Sequence, residues 1–87
     1  MSLTKDAIQV FLAVLDKGSF SAAARSIGRV PSAVSMTIAN LEADLNLELF
    51  DRRGREPLPT TAARALEAKA RFMLQQFELW EAQALAL

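Results

Sequence analysis

The chain has 87 residues with ten Lys or Arg and ten Asp or Glu, so its formal net charge is zero, and it contains neither Cys nor His. This composition excludes disulfides, thiolate chemistry, ordinary zinc sites and histidine acid–base catalysis. A chain of this length folds as one domain and is too small for a deep catalytic cleft. No apolar run approaches the ~18–20 residues of a membrane span. We expect a cytoplasmic, non-enzymatic protein with no metal, no cofactor and no membrane contact.

The balance of charge matters for any polyanionic partner, because the whole chain offers it no bulk attraction. The basic side chains of the central portion are Arg25, Arg29, Arg52, Arg53 and Arg55. Binding to phosphate would therefore rest on the local placement of these arginines.

The N-terminal half begins with two short helical patterns. Apolar residues at helical spacing predict a first helix over Thr4–Lys17, with Ser2 or Thr4 as its N-cap and Gly18 as its end. A second helix is predicted over Ser21–Ile27, preceded by Ser19 as N-cap. Its alanines are small enough for another helix to cross closely, and Gly28 permits a sharp turn after it.

The third helix is predicted over Pro31–Leu45, since proline suits the first helical position. Its buried stripe consists of Val34, Ile38, Leu41 and Leu45. The opposite stripe holds Ser32, Met36, Ala39 and Ala43, with Ser35 and Asn40 at its flanks. This outward stripe is short-chained and uncharged. Asn46 is expected to end the helix in a left-handed conformation.

A two-stranded wing and a long helix complete the chain. Leu47, Leu49 and Phe50 begin a short strand, and a Gly-containing turn leads to a return strand limited by proline. Thr60 is the expected N-cap of a final helix over Thr61–Leu87. An a/d heptad stripe on this helix predicts packing against a second copy of the chain. Its members are Leu66, Ala70, Met73, Phe77, Trp80, Ala84 and Leu87.

Two helices joined by a tight turn are typical of a helix-turn-helix, whose second helix can enter the major groove of double-stranded DNA. The fold class is then mainly α: a three-helix core with a two-stranded wing, followed by a long dimerisation helix. The candidate DNA-binding residues are Ser21, Arg29, Pro31, Ser32, Ser35, Met36, Asn40, Arg52, Arg53 and Arg55. Met36 can contact a thymine methyl group and Asn40 an adenine, while hydroxyls near a helix start can meet phosphates or base edges.

Each of these residues also has a structural interpretation. Met36 can be a tolerated surface residue, Ser32 a cap of its own helix and Arg29 a solubilising charge. The wing arginines, which have no evident structural task, can belong to a solvated loop. Acidic pairs such as Asp6 with Asp16, or Glu42 with Asp44, are interpreted as solvated helix faces. The competing function is a helical protein-interaction module without a specific DNA site.

The combination of motifs resembles the N-terminal DNA-binding domain of LysR-type transcriptional regulators. The resemblance is carried by the motifs in Gly18–Ala24, Ala33–Ser35, Ile38–Glu42, Leu47–Arg52 and Thr60–Ala62. It implies a winged helix-turn-helix over residues 1–59 and a linker helix over residues 60–87 that forms a homodimer on a two-fold symmetric operator. It also implies a larger inducer-binding domain, absent from this chain, and tetramers in the full-length protein. Because the chain ends mid-heptad at Leu87, we expect a fragment.

The chain departs from the family pattern at the third helix. Val30-Pro31-Ser32 stands where the family commonly has Ser-Gln-Pro, and Met36 stands where an arginine is common. Ala39 and Asn40 replace residues that are usually basic, so an operator preference cannot be transferred from other members. Ala63 replaces the usual glycine at the start of the linker helix, which should stiffen it.

Overall fold

The computed structural model describes residues 3–87, and the candidate cap Ser2 lies outside them. Four helices and two strands follow one another along the chain, in the order expected for a winged helix-turn-helix. They are α1 (Lys5–Lys17), α2 (Phe20–Ser26), α3 (Pro31–Leu45), β1 (Phe50–Asp51), β2 (Leu58–Pro59) and α4 (Thr61–Ala86).

The first helices begin and end at the residues that the sequence marks. The Thr4 hydroxyl accepts a hydrogen bond from the Ala7 N–H at 3.1 Å, and the Ser19 hydroxyl accepts one from the Ala22 N–H at 3.0 Å. Gly18 ends α1 with a φ of 77°, where a side chain would be strained. The second helix is displaced by one residue from the prediction, because Ser19 caps it directly and Phe20 is already helical.

The hydrophobic core lies where α1, α2 and α3 meet. Val10, Ala23, Val34 and Ile38 have no exposed surface. The small side chain of Ala23 lets the other helices approach α2 closely. The wing adds Phe50, whose ring lies 5.9 Å from that of Phe11, between centroids.

The wing is a minimal antiparallel pair in which Phe50 faces Pro59 and Asp51 faces Leu58. Leu49 is buried directly before β1 and its carbonyl accepts a hydrogen bond from the Thr60 N–H at 3.0 Å. Leu47 lies outside the strand and is 42% exposed. Only the inner end of the wing is therefore anchored in the core.

The last helix, α4, has 26 residues and a length of ~39 Å. Its first part belongs to the core, since Ala63 and Ala70 are buried and Leu74 packs against the core. Residues 75–87 are all exposed. Within residues 3–87 no single helix is long and apolar enough to cross a membrane, and α1 with α2 passes that test only as a pair bent by 119°.

Candidate nucleic-acid interface

The third helix, α3, presents one face to the core and the other to solvent, as its periodicity predicts. Val34, Ile38 and Leu41 are buried, whereas Met36 is 62% exposed. The other outward residues are exposed as well, namely Ser32, Ala39, Asn40 and Ala43, with Ser35 half-buried at the margin. No other part of residues 3–87 covers this face, so it is free to contact a large partner such as duplex DNA.

The start of α3 leaves the Ser32 N–H without a hydrogen-bond partner in residues 3–87, whereas the Ala33 and Val34 N–H groups donate to the Val30 carbonyl. Val30 is the N-cap residue, and no side chain makes a capping hydrogen bond within the described residues. Ser32 therefore does not cap its own helix. Pro31 has no N–H, and the first N–H groups of a helix have no partner inside it. The Ser32 N–H and hydroxyl are accordingly positioned to donate to a phosphate or a base edge.

Arg29, in the turn before α3, is engaged by a carboxylate. Its guanidinium donates to both oxygens of Asp6 on α1, with one Nη1–Oδ2 distance of 2.9 Å. This pair lowers the pKa of Asp6 and raises the pKa of Arg29. Asp6 is thus not simply a solvated residue, and Arg29 must exchange one anion for another to contact DNA.

Arg52 has a structural task, which corrects our expectation for the wing arginines. Its Nη2 donates to Glu42 Oε1 at 3.0 Å, and its guanidinium carbon lies 4.9 Å from the centroid of the Phe20 ring. A cation held over an aromatic face and paired with a carboxylate is restrained twice. Arg52 therefore links β1 to both helices of the helix-turn-helix.

Glu42 is the residue whose importance the sequence interpretation missed. Its Oε2 accepts hydrogen bonds from the Leu49 N–H at 2.7 Å and the Phe50 N–H at 3.2 Å, and only 17% of its side chain is exposed. The interpretation as a solvated face is wrong for this residue. The signal in the sequence was the family resemblance, because Glu42 belongs to the Ile38–Glu42 motif that carries it.

The remaining wing arginines differ from one another. Arg53 is a highly exposed side chain that donates to Asp51, with an Nη2–Oδ2 distance of 2.7 Å. This side-chain bond, with a backbone bond from the Arg53 N–H, lowers the pKa of Asp51 to about 2. Arg55 is exposed and forms no ion pair with any residue between 3 and 87. Arg55 can therefore bind a phosphate without first releasing a carboxylate.

The second helix, α2, also has exposed polar residues. Ser21 is exposed at the second residue of α2, where its hydroxyl is accessible. Arg25, which was not among the predicted contacts, is exposed in the last turn of the helix. The only signal for Arg25 was its position in the central basic group.

The solvent-exposed face of α4 carries many apolar side chains. Leu66, Met73 and Phe77 are 36–38% exposed and Trp80 is 71% exposed, but Ala70 is only 8% exposed because it packs in the core of its own domain. Two further exposed residues outside the heptad stripe are Phe72 and Leu79. An open groove of about 680 Å³ is lined by Lys5, Phe72, Met73, Gln76, Phe77, Trp80 and Glu81.

Titratable clusters suited to metal binding are not found in the described part of the chain: no three His, Cys, Asp or Glu side chains there come together to hold an ion. In the same residues every buried side-chain nitrogen or oxygen has a hydrogen-bond partner.

A helix-turn-helix with a short wing, an uncovered third helix and a long apolar fourth helix defines a winged helix-turn-helix domain. The family model for bacterial regulatory helix-turn-helix proteins of the lysR family matches residues 6–64. The chain belongs to this family.

Relatives in sequence are transcriptional regulators. The chain is 54% identical over all its 87 residues to the HTH-type transcriptional regulator AceR of Acinetobacter baumannii. It is 41% identical over 86 residues, 99% of the chain, to the probable HTH-type transcriptional regulator YhaJ of Escherichia coli. It spans 29% of the length of each of these relatives.

Solved structures with the same fold include protein–DNA complexes. The complex of the CbnR DNA-binding domain with DNA matches with a TM-score of 0.88 and 26% identity over 97% of both chains. The DNA complex of DarR from Vibrio fischeri matches with a TM-score of 0.89 and 26% identity, over 97% of this chain and 29% of that one. The fold of this chain is therefore one that these proteins have while bound to DNA.

Proposed function

We propose that this domain binds duplex DNA sequence-specifically, with α3 in the major groove, and regulates transcription in the bacterial cytoplasm without catalysing a reaction. The observation that carries the proposal is the uncovered outward face of α3. Small side chains beside one flexible thioether, at Met36, allow the helix backbone to approach base edges. The aliphatic face of the same helix is fixed in the core, so α3 is a rigid element.

Contacts to the phosphate backbone fall to groups around this helix. Ser21 lies on α2, Arg29 lies in the turn, and Arg53 and Arg55 lie in the wing. Because the chain has zero net charge and Arg29 and Arg53 are paired with carboxylates, non-specific attraction to DNA is weak. This favours discrimination by base contacts over binding to any sequence.

We further propose that residues 60–87 join two copies of the chain, with residues 1–59 as the DNA-reading unit of each. Support comes from the apolar groove on α4, where Phe77 and Trp80 are exposed in the single chain. Aromatic residues of this size are the usual anchors of protein interfaces. Such a dimer binds a two-fold symmetric operator with half-sites about one helical turn or more apart. An inducer-binding domain and tetramers, which the family resemblance implies, belong to the full-length protein.

Selection from a pool of random duplexes tests the proposal. The expected result is enrichment of a palindromic site at low and at physiological salt. Ala39→Glu places a negative charge on the outward face of α3 and should weaken binding by about tenfold or more, because the carboxylate faces phosphates and base acceptors. Ala68→Glu introduces the same charge at an exposed position of α4 and is the matched control. No enrichment at low salt would favour a protein-interaction module instead.

A further inference from the structure

We propose that α3 recognises A·T base pairs through the C5-methyl group of thymine, with Met36 as the main specificity-determining residue. This inference rests on the proposed function, since it states what the DNA-binding surface selects. In this proposal α3 distinguishes bases by apolar contact and not by hydrogen bonds from charged side chains.

The outward face of α3 has no cationic side chain that could recognise guanine. The most common specific contact in the major groove is an Arg or Lys that donates two hydrogen bonds to guanine O6 and N7. The α3 segment, Pro31–Leu45, contains no Lys or Arg. Two arginines that flank or contact this helix are already bound, Arg29 to Asp6 and Arg52 to Glu42 and the ring of Phe20. Guanine therefore has no cationic reader on this helix.

The outward face of α3 and the residue before it offer exposed apolar side chains instead. Met36 is 62% exposed in the second turn of α3, and Val30, the residue before the helix, is 61% exposed. The thymine methyl is the apolar group that base pairs present in the major groove. An unbranched thioether adapts to a neighbouring methyl group better than a branched side chain does. Apolar area on both partners is then removed from water together.

Adenine, the base that pairs with thymine, has a possible hydrogen-bonding residue in Asn40. Asn40 lies four residues after Met36, one helical turn further along the same side, and is exposed. An asparagine can form two hydrogen bonds with adenine N6 and N7. Met36 and Asn40 therefore both favour A·T pairs, one through thymine and the other through adenine. The methyl groups of Ala39 and Ala43 on the outward face add no preference for guanine.

The experiment uses duplexes carrying the selected site, in which each thymine is replaced in turn by deoxyuridine, which lacks only the methyl group. At the thymine contacted by Met36, binding of the chain should weaken about fourfold, the value of one buried carbon group. Symmetric replacement in both half-sites should weaken it about fifteenfold. Replacing that base pair by one containing 5-methylcytosine should retain more affinity than one containing cytosine, because the methyl group is restored.

Two variants at position 36 complete the test. Met36→Ala should bind the thymine and uracil duplexes equally, whereas Met36→Leu should retain most of the difference. Both are expected to fold as the parent does, since the side chain is exposed, and circular dichroism checks this. Equal binding of uracil and thymine by the parent chain, or an undiminished difference in Met36→Ala, would overturn the inference and leave the proposed function standing. Failure to select any site would overturn both.

Discussion

Arg52 and Glu42 form an ion pair, with 3.0 Å between Nη2 and Oε1, that fastens the first strand of the wing to α3. The same carboxylate accepts two backbone N–H groups at the start of that strand. One partly buried side chain thus ties the start of the wing to α3. It acts together with the buried side chains of Leu49 and Phe50, since the wing pair itself has only two residues in each strand.

Removing this carboxylate should destabilise the domain. Glu42→Ala leaves the N–H groups of the buried residues Leu49 and Phe50 without an acceptor and should cost about 2–4 kcal/mol of unfolding free energy. Glu42→Gln keeps an oxygen acceptor and should cost about 1 kcal/mol. Urea unfolding followed by circular dichroism measures both, with the exposed wing variant Glu56→Ala as control. Equal stability of Glu42→Ala and the control would contradict the role given to Glu42.

Releasing Arg29 from its carboxylate should strengthen DNA binding. In Asp6→Asn the ion pair is lost, and Arg29 becomes available to a phosphate, so the slope of log K against log salt should steepen by up to about 0.9. Asp16→Asn removes the same charge from α1, but its partner is Arg71 on α4. It is the matched control and should change the slope less. Identical slopes in the two variants would mean that only net charge matters.

The wing arginines should separate by function. Arg55→Ala should weaken binding to all sequences and flatten the salt dependence by about 0.9, with unchanged thermal stability, because the side chain is exposed and unpaired within residues 3–87. Arg52→Ala should lower the melting temperature in the absence of DNA, since it removes the ion pair with Glu42. Salt titrations and thermal scans of both variants measure this. A destabilised Arg55→Ala variant would contradict the assignment.

Dimerisation through α4 should depend on its aromatic residues. Trp80→Ala removes a large exposed side chain of the apolar groove and should weaken self-association by about 2 kcal/mol or more, as for interface tryptophans in general. Leu85→Ala alters an apolar residue that is 89% exposed and outside the heptad stripe. Sedimentation equilibrium over a concentration series compares them. If both variants associate as the parent does, the dimer uses another surface.

Stability should be insensitive to pH from 5 to 7 and fall below about pH 4. The chain has no histidine to titrate near pH 6.5. Hydrogen bonds from Arg53 lower the pKa of Asp51 from 3.8 to about 2, and those from Arg29 also lower the pKa of Asp6. A lowered carboxylate pKa stabilises the fold above pH 3.8, and this contribution disappears as the pH falls through the lowered value. Thermal scans from pH 7 to 2 check this, and a marked fall between pH 7 and 5 would contradict it.

The helices and their ends could be predicted from the sequence because their signals are local. Thr4, Gly18, Ser19 and Pro31 act within one turn of the chain, and the outward face of α3 follows from helical periodicity. The ion pairs could not be predicted in this way. Arg29 and Asp6 are 23 residues apart, and Arg52 and Glu42 are ten apart, so their contacts depend on how the helices cross.

Ala70 illustrates a second limit of sequence patterns. The heptad pattern places it on the dimer stripe, whereas the structure buries it in the core of its own domain, to which Ala63 also belongs. A single helix carries two adjacent apolar stripes here, and alanine is small enough to belong to either. The larger Trp80 is less ambiguous, because its side chain remains 71% exposed in the structure.

The junction at Thr60 has a mechanical consequence. One residue separates β2 from α4, and its hydroxyl both accepts a hydrogen bond from the Ala63 N–H and donates one to the Glu48 carbonyl. With Ala63 buried just beyond, the start of α4 is held firmly against the wing and the core. Because α4 also packs against α1, a rotation of its far end should turn the three-helix core with it as one body.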